Sequence, residues 1–242
     1  MSSEREKNEL IKAAIYPVIF LLLFWVVKLM ETMFGFNAAV AGVYPRHWES
    51  LGGIILMPFI HGDWNHLLSN STPFLFLGSM LFYFYREVAW KILLLIWILS
   101  GIWLWIGARE SYHIGASGVI YGMASFLFVS GIIRNNRRLL TLTMIVAFLY
   151  GSMIWGFFPE FFPDKNISWE GHLFGFVSGI LMAFYFRKEG PEEEVHVWDD
   201  SDVPDDEDAY WRSEKQADKT ALSEKARPTR IHYHYKRSDG KK

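Results

Sequence analysis

Over the first three-quarters of the chain, long apolar runs alternate with short polar ones. The apolar segments lie near Ala13–Met33, His66–Tyr85, Val88–Gly107, Gly115–Ile133, Leu139–Phe158 and Trp169–Phe186. Most are close to the ~20 residues that a helix needs to cross a bilayer. The pattern predicts an all-α polytopic membrane protein with six transmembrane helices over residues 13–188, after a polar N-terminus at 1–12. Ala39-Val40-Ala41 resembles a signal-peptide cleavage site, but the apolar run before it is longer than an ordinary h-region, so the first segment reads as a span. Between the first two spans, residues 34–59 hold no apolar run long enough to cross, and Pro58 interrupts the best one. An interfacial, half-inserted loop packed on protein is the expectation, with Tyr44, Arg46 and Trp48 at headgroup level.

Basic residues orient the spans. Arg5, Lys7, Lys12, Arg86, Lys91, Arg134, Arg137, Arg138, Arg187 and Lys188 fall on one side, against Lys28, Arg46, Arg109 and Lys165 on the other. This excess puts both termini in the cytoplasm, and it brings the second, fourth and sixth spans in from the outer face.

Composition agrees with the pattern. Half of the chain is hydrophobic (51%), and residues 189–242 carry 15 of the 26 acidic residues, so the formal net charge of -2 hides a membrane part that is nearly charge-free. The tail is rich in acid, Lys and Ser and poor in aliphatics. It cannot bury enough apolar surface to fold alone and is expected to be a disordered cytoplasmic segment. There is no cysteine, which excludes disulfides and thiolate chemistry. No basic face suggests nucleic acid.

Polar groups inside apolar segments call for a functional reading, and here they gather at the outer ends of the second, fourth and sixth spans. The fourth opens with His113-Ile114-Gly115-Ala116-Ser117-Gly118, where one serine sits among glycines roughly 6 Å below the polar boundary at about 1.5 Å per residue. The second opens with His61-Gly62-Asp63-Trp64-Asn65-His66 and continues to Asn70, which shares a helix face with His66. The sixth opens with Trp169-Glu170-Gly171-His172. Gly118 and Gly122 on one helix, with Gly171, Gly175, Gly179 and Ala183 on another, form small-residue stripes that let backbones meet. Taken singly, each of these groups is ordinary: a packing serine, a structural histidine, an interhelical asparagine. Together they place Ser117 within reach of His172, as a nucleophile and its base require. No carboxylate stands at an obvious spacing, so a dyad is implied. The N–H of Ser117, at a helix start, and the side chains of His66 and Asn70 could then stabilise an oxyanion.

These motifs resemble those of the rhomboid family of intramembrane serine proteases. Gly115-Ala116-Ser117-Gly118 is similar to its G-x-S-G motif, His61, His66 and Asn70 to its H-x(4)-H-x(3)-N, and Gly171-His172-x-x-Gly175-x-x-x-Gly179 to its last-helix histidine motif. The resemblance covers roughly residues 13–188. It implies a six-helix rhomboid bundle, Ser117 as nucleophile, His172 as base, His66 and Asn70 as oxyanion donors, and Tyr121 as a ring packed on the histidine. It further implies lateral substrate access gated near Leu139–Phe158. Many members carry a Trp-Arg pair where this chain has Gly52-Gly53, with Arg46 and Trp48 upstream, which leaves the anchoring of the first loop open.

The expected function is that of a serine endopeptidase that cuts single-span membrane proteins near the outer end of their helix. The expected setting is a cell membrane, a bacterial inner membrane in the first instance. No metal or cofactor is expected. A zinc site from His61, His66, His113 and His172 lacks the H-E-x-x-H pattern. The alternative is a catalytically inactive relative that binds and escorts membrane proteins, which would have no chemical need of both Ser117 and His172.

Overall fold

The structure is a computed structural model and describes residues 2–149 and 168–190. Among these residues it is helical, with one isolated antiparallel bridge, Val43 to His113. Seven α-helices follow in chain order: α1 (Ser2–Phe34), α2 (Gly53–Leu56), α3 (Trp64–Phe84), α4 (Ala89–Gly107), α5 (Ser117–Ile133), α6 (Arg137–Leu149) and α7 (Trp169–Tyr185). Three of them, in α1, α3 and α4, are long and apolar enough to cross a membrane, and α5 is a shorter apolar helix. Lipid-like exposure marks them: Leu22, Phe76 and Ile106 are all more than half exposed.

The first helix begins well before the apolar run. Residues 2–12, taken as a polar N-terminus, continue the helix because Glu, Lys, Arg and Leu are good helix formers. Glu9 ties this extension down by pairing with Lys12 at 3.1 Å and with Arg86 at 2.7 Å. α1 then packs along α3, while α5 packs chiefly on α7, and α7 also on α4. The hydrophobic core between them includes Phe24, Leu77, Ile96, Met123 and Phe126.

The connection between α1 and α3 is a chain of short turns, Ala38–Ala41, Trp48–Ser50, α2 and Met57–Phe59, rather than a span. Val43, Ile54 and Met57 are buried while Val40, Trp48 and Ile55 are exposed, so the loop has a protein face and an apolar outer face. Its anchoring comes from Arg46 and its neighbours. Arg46 has a left-handed backbone (φ 64), its N–H donates to Trp105 O, and its guanidinium donates to Ala108 O at 3.0 Å and Glu110 at 3.1 Å. Trp105 Nε1 donates back to His47 O, and Trp48 packs on the Trp105 ring. Deeper in, Trp97 Nε1 donates to Ile54 O at 2.7 Å. The loop is thus fastened to α4 along its length. The expected gate near Leu139–Phe158 is described up to Leu149, as part of α6, and the rest of it, with the tail beyond residue 190, falls outside the described residues.

Candidate active site

Ser117 is the first residue of α5, two positions later than the apolar run suggests. N–H groups in a first helical turn have no carbonyl one turn back, so the serine stands where backbone donors are free to act. The reason for the late start is Gly115, whose φ of 105 is closed to residues with a Cβ. Its N–H donates to Met57 O at 2.8 Å, and the preceding His113 exchanges backbone hydrogen bonds with Val43, so the first loop holds the approach to the serine.

His172 lies one turn inside α7 and is 7% exposed. Its ring stacks on Tyr121 with centroids 4.3 Å apart and planes 10° from parallel. Tyr121 is four residues after Ser117, one turn along the same face of α5, so the stack places the imidazole beside the serine face. The two helices approach this closely because glycine meets glycine: a Cβ built on Gly175 would lie 2.7 Å from the carbonyl carbon of Gly118, and one on Gly118 would lie 3.1 Å from Gly171 O. The stripes expected of Gly118, Gly122, Gly171, Gly175 and Gly179 do make the contact.

On the other side of the Gly115 turn stand the groups from α3. A Cβ built on Gly115 would lie 2.8 Å from His66 Nε2 and 3.7 Å from Asn70 Nδ2. Asn70 is 5% exposed and its Nδ2 has no hydrogen-bond partner among the described residues. A buried amide donor left unpaired costs on the order of 1–3 kcal/mol, so it calls for an explanation. Asp63 caps α3 by accepting from His66 N at 2.8 Å, which fixes the turn that carries His66.

Beside Ser117 the described structure leaves a cavity of about 10 Å³ lined by Ser100, His113, Ser117, Gly118, Ser168 and Gly171 among others. That is about the room of one water molecule. His113 closes it. Its Nε2 donates to Arg109 O at 3.0 Å, so its Nδ1 accepts from Ser168 Oγ at 2.6 Å, and Ser168 in turn accepts from Gly171 N as the cap of α7. Burial lowers the His113 pKa below its ordinary value, which keeps this neutral arrangement. Sequence reasoning noticed His113 but missed Ser168. The run Ser168-Trp169-Glu170 is an N-cap with an acid in the first turn, and that signal was available.

A histidine at this place before the second span is ordinarily a turn closer to water than His66, yet His61 is 1% exposed, wedged between the rings of Phe24 at 5.4 Å and His66 at 5.1 Å. Both its ring nitrogens lack partners among the described residues, and burial first, with the nearby His66 second, pushes its pKa down to about 3. The loop that carries it folds under α1 because its carbonyl is bound there. Among the described residues, no three of the His, Asp and Glu side chains are placed to share a metal ion.

Comparison with known proteins identifies the family. The Rhomboid domain description matches residues 45–189. An uncharacterized protein of Mycobacterium tuberculosis is 32% identical over 172 residues, 68% of this chain and 71% of that protein. An uncharacterized protein of Mycobacterium leprae is 30% identical over 172 residues, 68% of each chain. A Bacillus subtilis protein named "Putative rhomboid protease YdcA" is 29% identical over 173 residues, 66% of this chain and 76% of that one. The family match, the apolar helices and the relatives lead to one identification: this chain is a membrane protein of the rhomboid family.

Proposed function

We propose that the protein is an intramembrane serine endopeptidase that cuts single-span membrane proteins near the outer end of their helix. The observation that carries this reading is the convergence on one turn of backbone. Gly115, two residues before Ser117, closely approaches His66 Nε2 and Asn70 Nδ2, which has no partner among the described residues, and Tyr121, one turn after Ser117, stacks on His172.

In this mechanism Ser117 Oγ attacks the scissile carbonyl carbon while His172 takes the hydroxyl proton. The electron pair of the C=O moves onto oxygen, where the Ser117 N–H, His66 and Asn70 donate to it. Collapse breaks the C–N bond, and His172 passes its proton to the leaving amine. Water then attacks the acyl-serine, giving a proton to His172, and as the bond from the acyl carbon to Oγ breaks His172 returns that proton to Ser117 and the carboxylic acid leaves. Tyr121 acts on this cycle only by holding the imidazole plane.

Six spans with both termini in the cytoplasm, in a bacterial cell membrane, complete the proposal. α5 supports the depth. Its 17 residues reach roughly 25 Å at about 1.5 Å per residue, short of a hydrocarbon core of about 30 Å, so Ser117 falls below the surface rather than at it. A substrate helix must unwind there, since an intact helix hides its carbonyls in hydrogen bonds.

The test is cleavage of a single-span substrate in detergent by the wild type and by Ser117→Ala. Loss of cleavage in the variant alone is expected. A wild type that binds the substrate yet leaves it whole would favour the escort reading instead. Cuts mapped to the cytoplasmic third of the substrate helix would overturn the orientation.

A further inference from the structure

Lys28 is a charged residue on the apolar first helix, 7% exposed and outside the matched Rhomboid region. A charge in such a place is expensive and calls for a role. An ammonium has three donors and no acceptor. Here its nitrogen donates to Glu31 Oε2 at 2.7 Å, to His61 O at 3.0 Å and to Gly62 O at 2.9 Å, so all three are used. Glu31 in turn accepts from Ala38 N at 3.0 Å, which ties the start of the first loop to the same point. The two carbonyls belong to the residues just before Asp63, the cap of α3.

The next link runs to the site. Gly62 N–H donates to His66 Nδ1 at 3.4 Å. A ring nitrogen that accepts carries no proton, so the neutral ring holds its hydrogen on Nε2, the nitrogen that faces Gly115. We propose that Lys28 is a positioning residue: by gripping the His61 and Gly62 carbonyls it aims the Gly62 N–H at His66 Nδ1 and so fixes His66 as an Nε2–H donor toward the oxyanion. The inference rests on the protease reading for its catalytic consequence, but not for the tautomer itself.

The experiment therefore reads both. ¹⁵N-histidine spectra of the Ser117→Ala protein in detergent, with His66 assigned by loss of its signals in His66→Gln, report the tautomer without turnover. With native Lys28, His66 is expected as Nε2–H; an Nδ1–H ring overturns the proposal, whether or not any Lys28 variant folds. In Lys28→Met, checked for unchanged thermal unfolding, His66 is expected to become a mixture of tautomers. With Ser117 restored, kcat is expected to fall roughly ten- to a hundredfold at nearly constant KM, less than loss of the donor itself. Lys28→Arg, which keeps a charged donor, is expected to recover most of both. A folded Lys28→Met protein that retains the Nε2–H ring and full kcat overturns the proposal. A wild type without protease activity would defeat the protease reading and leave the spectra to decide this one.

Discussion

Adding one methyl group at Gly175 is the sharpest test of how the site is assembled. A Cβ there would lie 2.7 Å from the carbonyl carbon and 2.9 Å from the Cα of Gly118, and nearer still to its oxygen. Ordinary carbon contacts begin near 3.4 Å, so the backbones of α5 and α7 must part by at least about 0.7 Å, and by well over 1 Å once the oxygen is accommodated. No flexible side chain is available to yield, because both partners are main chain. Gly118 is bonded to Ser117 and Gly175 is three residues from His172, so the separation falls on the distance between nucleophile and base. A misplacement of about 1 Å can cost on the order of 10²-fold in rate, and overpacking of this kind typically costs about 1–3 kcal/mol of stability. For Gly175→Ala we expect kcat lowered about a hundredfold with KM little changed, in a protein that still unfolds cooperatively. Single-turnover cleavage by detergent-purified protein, with thermal unfolding followed in parallel, measures both. If Gly175→Ala cleaves within threefold of wild type, the packed glycine contact does not set the geometry of the dyad.

Four further outcomes follow from the same contacts. Asn70→Ala removes one oxyanion donor and should lower kcat by about 10²–10³ at constant KM, with His66→Ala at least as severe; full kcat in Asn70→Ala would return that residue to interhelical packing. His61 is buried neutral, so the unfolded chain binds one more proton than the folded one between about pH 3 and its ordinary 6.5; stability therefore falls as pH drops through that window, by up to about 1.4 kcal/mol per unit. Unfolding midpoints measured against pH should show a shallower acid slope for His61→Phe. Glu110→Gln removes an exposed ion pair with Arg46 and should shift stability by less than about 1 kcal/mol and leave cleavage unchanged. Removing residues 191–242, whose composition supplies no core, should leave activity in the remaining chain; a truncated protein that folds but does not cleave would give the tail a part in the reaction.

The contact between the helices that carry Ser117 and His172 was legible because its determinants are local in sequence. Small residues at helical spacing told which helices could touch, and Ser117 and His172 are each next to a glycine of those stripes. Asn70 and His66 were legible for the same reason, four residues apart on one face. The first loop was not, because its order comes from main-chain hydrogen bonds between distant segments, Val43 with His113, Gly115 with Met57, Arg46 with Trp105, and a backbone N–H carries no residue code. Lys28 was read only as a topological charge, since a lysine near a span end ordinarily snorkels to water. Its three acceptors are a glutamate one turn on and two carbonyls more than thirty residues away, which no periodicity reveals. A histidine before a span usually lies near the water; the aromatic pocket of Phe24 and His66 buries His61 instead.

The contact between α5 and α7 also orders events during synthesis. Ser117 and the donors of α3 emerge first, and His172 follows 55 residues later on the last of the described helices. At roughly 5–20 residues per second, the nascent chain holds its serine without a base for several seconds. Nothing else in the bundle substitutes, because the stack on Tyr121 and the glycine seam both need α7 in place. On the protease reading, a half-made chain is thus expected to be inert toward its neighbours in the membrane until α7 docks.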